Sequence, residues 1–342
     1  MKPLVASFAA IALFASPAAA AVLLPGAAGE IVVADEGSIR SVAVPSMEER
    51  WNRPGLRFPL FGVTAEDGGI VAIVDPVDER VAIVRDGEVA LFDVPGAPVA
   101  AELDGEALFL ATRGGMLIRI EGESVRSVPV AAGSPLLAVD GRAAIVYDQI
   151  SGTIERFDPA TLARIESGRT EAFASRIAIE SGTVYLVVPR SGRLVTILLD
   201  DLSAGTGTTA GAAPVDLAIE APANATRGAV LVLADPAAKR IRRIEGKQSL
   251  AQAIGRGFVR GLLGLGLFSP SSASMPTGAD RVFRRDGRTW AFDSTTGTLY
   301  AIRGADAEPV ATGLRWNAFV IRGEWLYAMR DGRLVSESIG GR

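Results

Sequence analysis

Leu136-Leu137-Ala138-Val139-Asp140-Gly141-Arg142-Ala143-Ala144-Ile145-Val146-Tyr147-Asp148-Gln149-Ile150-Ser151-Gly152-Thr153-Ile154-Glu155-Arg156-Phe157 is the stretch that decides the fold. Two short apolar runs, Leu136 to Val139 and Ala143 to Tyr147, flank an Asp-Gly pair, which between such runs is a strong signal for a hairpin turn. The run Ala143 to Tyr147 has no polar side, so a strand built from it must be covered on both faces. After a polar turn the chain resumes with Ile154 and Phe157, then Asp158-Pro159 and a weaker edge segment at Leu162 to Ile165. Apolar inner strands followed by mixed outer ones describe a wedge of sheet. Its inner strands are sandwiched between neighbours and its outer edge meets water.

The same order recurs outward in both directions. Apolar runs end in Asp at Val32-Val33-Ala34-Asp35, Ile73-Val74-Asp75, Val146-Tyr147-Asp148, Ala234-Asp235 and Ala291-Phe292-Asp293, with degenerate copies at Thr112, Val188 and Arg330. Successive turns are 40, 37, 36, 40, 47, 58 and 37 residues apart. A period near forty with several short strands per unit indicates radially repeated four-stranded sheets, none of which can bury both faces alone. The expectation is an all-β chain folded as a single β-propeller of eight blades, with Val22-Leu23-Leu24 as the first inner strand. The last unit, ending after Leu334 to Ile339, lacks an evident outer strand. If the N-terminal segment completed that unit, the count would fall to seven.

Residues 1–21 read as a secretory leader, with Lys2 as the positive region, Leu4 to Phe14 as an apolar stretch too short to span a bilayer, and Ala18 to Ala21 as cleavage sites. The cleavage region has no Cys for a lipid and no twin Arg precedes the apolar run, so the expectation is a released periplasmic or secreted protein with 22–342 as one propeller domain. The formal charge of −4 argues against nucleic acid as a partner. The chain contains no Cys and no His. Stability must therefore come from apolar burial and ring closure, and His-based acid-base chemistry, Ser-His-Asp triads and His-ligated metals are excluded.

The pattern Ala234-Asp235-Pro236-Ala237-Ala238-Lys239-Arg240-Ile241, echoed in Val74-Asp75-Pro76-Val77-Asp78-Glu79-Arg80-Val81, resembles the NHL and YVTN classes of propeller repeat. Those classes include scaffolds, receptor ectodomains and a few enzymes, so the resemblance implies an architecture. Ala291-Phe292-Asp293-Ser294-Thr295-Thr296-Gly297 is similar to the start of the tryptophan-docking repeat of quinoprotein propellers, but Ala301 stands at that family's Trp position and no vicinal Cys pair exists. No cofactor is expected. The recurring Asp residues lie too far apart on adjacent blades to share a cation and are expected to accept turn amides. Asn224-Ala225-Thr226 matches a glycosylation sequon and reads as a loop, and Met47 to Pro54 reads as a charged loop with one aromatic, Trp51.

The wide spacing between Asp235 and Asp293 places a surplus in 247–279. Leu250, Ile254, Phe258 and Leu262 recur every four residues with Val259 and Leu263 beside them, and Gln252, Arg256 and Arg260 fall on the opposite side of a helical wheel. Ser249 would cap this helix and Ser269-Pro270-Ser271-Ser272 would end it. Gly255, Gly257, Gly261, Gly264 and Gly266 each cost about 1 kcal/mol in a helix interior, so the segment needs a surface to lie on: the propeller, a partner protein or a membrane interface. Ile254, Arg256, Phe258, Val259, Arg260, Leu262 and Leu263 are thus the candidate partner-binding residues. No catalytic or metal constellation emerges. The favoured expectation is an exported, non-enzymatic propeller that binds a protein partner or ligand; the alternatives are a metal-assisted sugar or lactone hydrolase or lyase with its site in the central channel, and a cofactor-free subunit of a periplasmic assembly.

Overall fold

A computed structural model describes residues 21–339 apart from 66, 181, 203–206, 221–229, 247–267, 276–277 and 305. The described residues form eight antiparallel sheets in chain order. Blade 1 holds β1 (Val22–Pro25), β2 (Glu30–Asp35), β3 (Ser38–Ala43) and β4 (Glu49–Pro54); blade 2 holds β5 (Phe61–Thr64), β6 (Ile70–Asp75), β7 (Arg80–Arg85) and β8 (Glu88–Asp93). Blade 3 is β9 (Pro98–Asp104), β10 (Ala107–Thr112), β11 (Met116–Glu121) and β12 (Ser124–Pro129), and blade 4 is β13 (Pro135–Asp140), β14 (Ala143–Asp148), β15 (Thr153–Phe157) and β16 (Arg164–Arg169). Blade 5 follows with β17 (Arg176–Glu180), β18 (Thr183–Val188), β19 (Arg193–Leu198) and β20 (Gly207–Thr209). Blade 6 has β21 (Asp216–Glu220), β22 (Val230–Asp235), β23 (Arg240–Gly246) and β24 (Phe268–Ser274). Blade 7 is β25 (Arg281–Arg285), β26 (Arg288–Asp293), β27 (Thr298–Arg303) and β28 (Asp306–Ala311), and blade 8 has three strands, β29 (Phe319–Arg322), β30 (Trp325–Arg330) and β31 (Arg333–Ser338). The eight positions that set the sequence period, from Asp35 to Arg330, all end the second strand of a blade.

The second strands show why the blades stand face to face. Along β14, Ala143, Ile145 and Tyr147 pack into a cluster shared with blade 5, whereas Ala144 and Val146 pack into one shared with blade 3. Alternate residues of a strand point to opposite faces, so an unbroken apolar run serves two neighbours at once. Val71 and Ile73 against Ala72 and Val74 in β6, and Leu231 and Leu233 against Val232 and Ala234 in β22, divide the same way. The buried hydrophobics fall into eight clusters, one for each junction between successive blades, including the junction of blade 8 with blade 1.

That last junction fixes the blade count at eight. Among the described residues β1 pairs only with β2, inside its own four-stranded sheet, and blade 8 has three strands, so no described strand crosses the seam. Side chains close it: Leu23, Ile31 and Val33 pack on Val320 and Tyr327. The Leu23 amide donates to the Asn317 carbonyl (2.8 Å), and the Arg322 guanidinium donates to the Ala27 carbonyl (2.7 Å) and to that of Glu30.

The strand-end aspartates are staples. Asp75 is fully buried; one carboxylate oxygen accepts the Val77 and Asp78 amides of its own turn (3.0 Å each), and the other accepts the Phe58 amide (2.7 Å) from the linker between blades 1 and 2. Asp148 joins Ser134 to Ser151, and Asp235 joins Ala212 and Ala213 to Ala238, in the same manner. The Asp235 staple requires Gly211, since a Cβ there would stand 2.1 Å from the carboxylate oxygen.

Two sequence expectations are corrected. Met47 to Pro54 is not simply a loop, because Glu49–Pro54 is the outer strand of blade 1 and Trp51 is half-buried on the blade 1–blade 2 cluster. Ser269 to Ser272 do not end a helix; they lie in β24, paired with β23 from Gly246↔Phe268 to Arg240↔Ser274. An outer strand needs no apolar face, so a Ser/Pro-rich stretch serves. The surplus of blade 6 is thus the connection 247–267 between its third and fourth strands, which lies outside the described residues, as do Asn224 and the expected leader 1–20.

The staple is testable. Asp75→Ala leaves three amides in a buried site without their acceptor and should cost about 2–3 kcal/mol in urea-denaturation stability, whereas Asp78→Ala, at an exposed position of the same turn, should change stability by less than about 0.5 kcal/mol.

Candidate functional site: the linker face

Every blade sends its connection between second and third strands, and its linker to the next blade, to one face of the ring; the remaining hairpin turns lie on the opposite face. Ten large hydrophobic side chains are exposed among the described residues, and six of them, Phe58, Leu60, Val77, Ile150, Phe173 and Trp316, belong to the linker face. Their exposure runs from 38 % for Trp316 to 67 % for Val77. This concentration of exposed apolar groups makes the linker face the candidate interaction surface.

Hydrogen bonds to the backbone of the linkers and turns gather them into two patches. In the first, the Asp75 staple fixes Phe58 beside Val77, and Asn317, next to Trp316, donates its side-chain amide to the Leu60 carbonyl (3.2 Å). Phe58, Leu60 and Val77 thereby come together at the junction of blades 1 and 2, and Trp316, in the linker from blade 7 to blade 8, is joined to them through its neighbour Asn317. Trp316 rests on Phe283, Phe292 and Phe319, with ring centroids 5.5–5.9 Å away, which holds the indole in place without burying it. In the second patch the Phe173 amide donates to the Gln149 carbonyl (2.7 Å), bringing Phe173 beside Ile150. Phe173 has φ +66°, a left-handed conformation that is costly for an aromatic residue and is stored where a side chain must be aimed.

Arginines stand over the exposed rings. The guanidinium carbon of Arg57 is 4.9 Å from the Phe58 centroid, that of Arg190 is 5.5 Å from Phe173, and that of Arg281 is 5.7 Å from Trp316. Arg315 is also exposed beside Trp316, and Asp78 and Glu79 flank Val77. Aromatic and Arg side chains are those enriched in the centres of protein interfaces.

The channel along the ring axis is lined by the innermost strands. Arg176 on β17 lies 3.6 Å from the Asp216 carboxylate on β21, and the Val282 amide donates to Asp216 (2.9 Å). Burial pushes the Asp216 carboxyl up from its ordinary range, against the opposing pull of Arg176, the Val282 amide and Arg281. Burial also raises Glu102 on β9, again opposed by Arg176. Glu102 and Arg176 lie on the innermost strands of blades 3 and 5, with β13 of blade 4 between them. Among the described residues no three Asp or Glu side chains gather as metal ligands.

Ile254, Arg256, Phe258, Val259, Arg260, Leu262 and Leu263 lie outside the described residues; the ends of their segment, Gly246 and Phe268, are paired on the face opposite the linkers. The four residues of the first patch went unrecognised in the sequence because connections between strands carry no period that marks an apolar residue as exposed. The only local signal was Phe58 and Leu60 bracketing a proline after Arg57.

No protein-family model and no curated protein matches the sequence. Solved structures match the fold. BamB from Moraxella catarrhalis superposes with a TM-score of 0.59 at 12% identity, covering 92% of this chain and 94% of that one. Apo AztD from Citrobacter koseri gives 0.61 at 10% identity, with 94% and 92% covered. BBS1N, in a complex with ARL6DN, gives 0.56 at 12% identity, with 82% and 89% covered. At these identities the likeness establishes the propeller architecture and nothing more.

The channel carboxylates make a prediction. A carboxyl raised by burial binds its proton more tightly in the folded chain than in the unfolded one, so its contribution is full below the ordinary carboxylate range and is lost as pH rises through the elevated value. Wild-type urea midpoints should therefore carry a component that falls as pH rises above the ordinary carboxylate range, and Glu102→Gln should reduce that component. Parallel pH profiles for the two proteins would contradict it.

Proposed function

We propose that this chain is an exported, non-enzymatic β-propeller whose linker face docks a protein partner that presents acidic and apolar side chains. The observation that carries this reading is the first patch. Phe58, Leu60 and Val77 are exposed at the junction of blades 1 and 2, and Trp316 is joined to them through the hydrogen bond from the Asn317 side chain to the Leu60 carbonyl. Arg57 and Arg281 stand over the Phe58 and Trp316 rings with charges that a partner's carboxylates complement. A rigid ring suits this role, because connections can vary in sequence while the blades hold them in place. The complex of BBS1N with ARL6DN supports it as an example of the same architecture engaging a protein.

Export rests on the leader-like composition of residues 1–21, and the described residues contain no helix long and apolar enough to cross a membrane. The likeness to NHL and YVTN repeats in the turns after Asp75 and Asp235 fits a binding scaffold. The apolar side chains of 254–263 are a separate candidate contact.

Photo-crosslinking from single positions in the source organism tests the assignment. A crosslinkable residue at Phe58 or Trp316 should yield one discrete protein adduct. The same group at Val125, exposed on outer strand β12, should yield none. Replacing Arg57 and Arg281 by Glu should abolish the adduct. An adduct formed from Phe258 and not from Phe58 or Trp316 would move the contact to the insertion, and no adduct from any position would remove the scaffold reading.

A further inference from the structure

On the face away from the linkers, a cavity of about 400 Å³ opens along the edges of blades 6 and 7. Its volume lies within the ~300–1,000 Å³ range of small-molecule sites. Blade 6 contributes Glu220, at the end of β21, and Arg243 on β23; blade 7 contributes Arg284, Arg288, Thr289 and Arg303. Four guanidinium groups thus face one carboxylate.

That carboxylate is already engaged. Glu220 accepts hydrogen bonds from both Arg243 and the Thr289 hydroxyl, and this fixes the floor of the cavity. Arg303 is paired with Glu308 at 3.7 Å. The other two arginines are different. Arg284 donates one Nη to the Gly287 carbonyl at 3.4 Å, while its Nε is buried and meets no acceptor. Arg288, in the exposed turn at the rim, has no carboxylate partner among the described residues. Neither Arg284 nor Arg288 has a carboxylate partner among the described residues, so two of the four guanidinium groups in the cavity lining keep charge and terminal N–H donors that a bound anion can meet.

The geometry points to an anion site, with Arg284 and Arg288 as the groups that bind a small oxyanion bearing phosphate or carboxylate oxygens, and the Glu220–Arg243–Thr289 cluster as its positioning floor. Guanidinium donors match either kind of oxygen pair in a bidentate manner. The site is independent of the linker face: it lies on the opposite side of the ring and shares no residue with either patch.

Isothermal titration of the full chain with pyrophosphate and, separately, citrate, both at ionic strength matched with sodium chloride, separates the two chemistries. Saturable binding of at least one is expected, and the one that binds names the class. Arg288→Gln, on an exposed turn, should keep the fold and weaken binding about tenfold or more, the scale of one lost charge-assisted hydrogen bond. Arg284→Gln should do at least as much, and Arg126→Gln, on outer strand β12, should change nothing. Absence of saturable heat with both anions, or an unchanged Kd in Arg288→Gln, would overturn the assignment whether or not Arg284→Gln folds.

Discussion

Burial of one blade's flank against the next is the interaction on which everything else in this structure depends. No sheet here has a face that can be left in water: the second strand of every blade carries apolar residues toward both neighbours, and eight clusters seal eight junctions. At about 25 cal/mol per Å² of apolar area, such contacts are the only large stabilising term open to a chain without Cys. They also impose closure, because an open arc would expose an apolar flank at each end.

Closure at the junction of blades 8 and 1 rests on side-chain packing reinforced by hydrogen bonds. Among the described residues no strand is shared across it and blade 8 has three strands, so the seam relies on Tyr327 and Val320 against Leu23, Ile31 and Val33, with Arg322 and Asn317 adding hydrogen bonds. Asn317 links this closure to the exposed first patch. The residue whose carbonyl holds β1 also binds the Leu60 carbonyl through its side chain and carries Trp316 beside it in the chain, so the seam and the first hydrophobic patch share one piece of backbone. The aspartate staples do the same work elsewhere, bonding linkers to turns so that exposed side chains such as Phe58 are held at defined positions.

The parts of this architecture that were readable in the sequence are those buried on both sides. Ala143 to Asp148 stands out because sandwiching forces an unbroken apolar run, and Asp75, Asp148, Asp235 and Asp293 stand out because a strand-end turn rewards a short carboxylate. Outer strands gave no such signal. β16 begins at Arg164, and the apolar Leu162 that suggested an earlier start is buried in a turn with φ +60°. β24 and β4 were obscured in the same way, by Ser/Pro-rich and charged composition. The candidate site was less legible still. Leu60 and Asn317 are 257 positions apart, and only ring closure makes them neighbours. The gathering of Arg243, Arg284, Arg288 and Arg303 around one cavity is likewise a property of packing, invisible in a list of residues.

Native-state hydrogen exchange tests the closed ring most directly, because it reads the stability of each blade separately. If flank burial seals the ring all the way round, amides of β2 and β30 beside the seam should exchange with the same opening free energy as those of β14, which lies between two continuous neighbours. Exchange of blades 1 and 8 well ahead of blade 4, with blade 4 retaining its protection, would show an open arc that frays from its ends and would contradict the account.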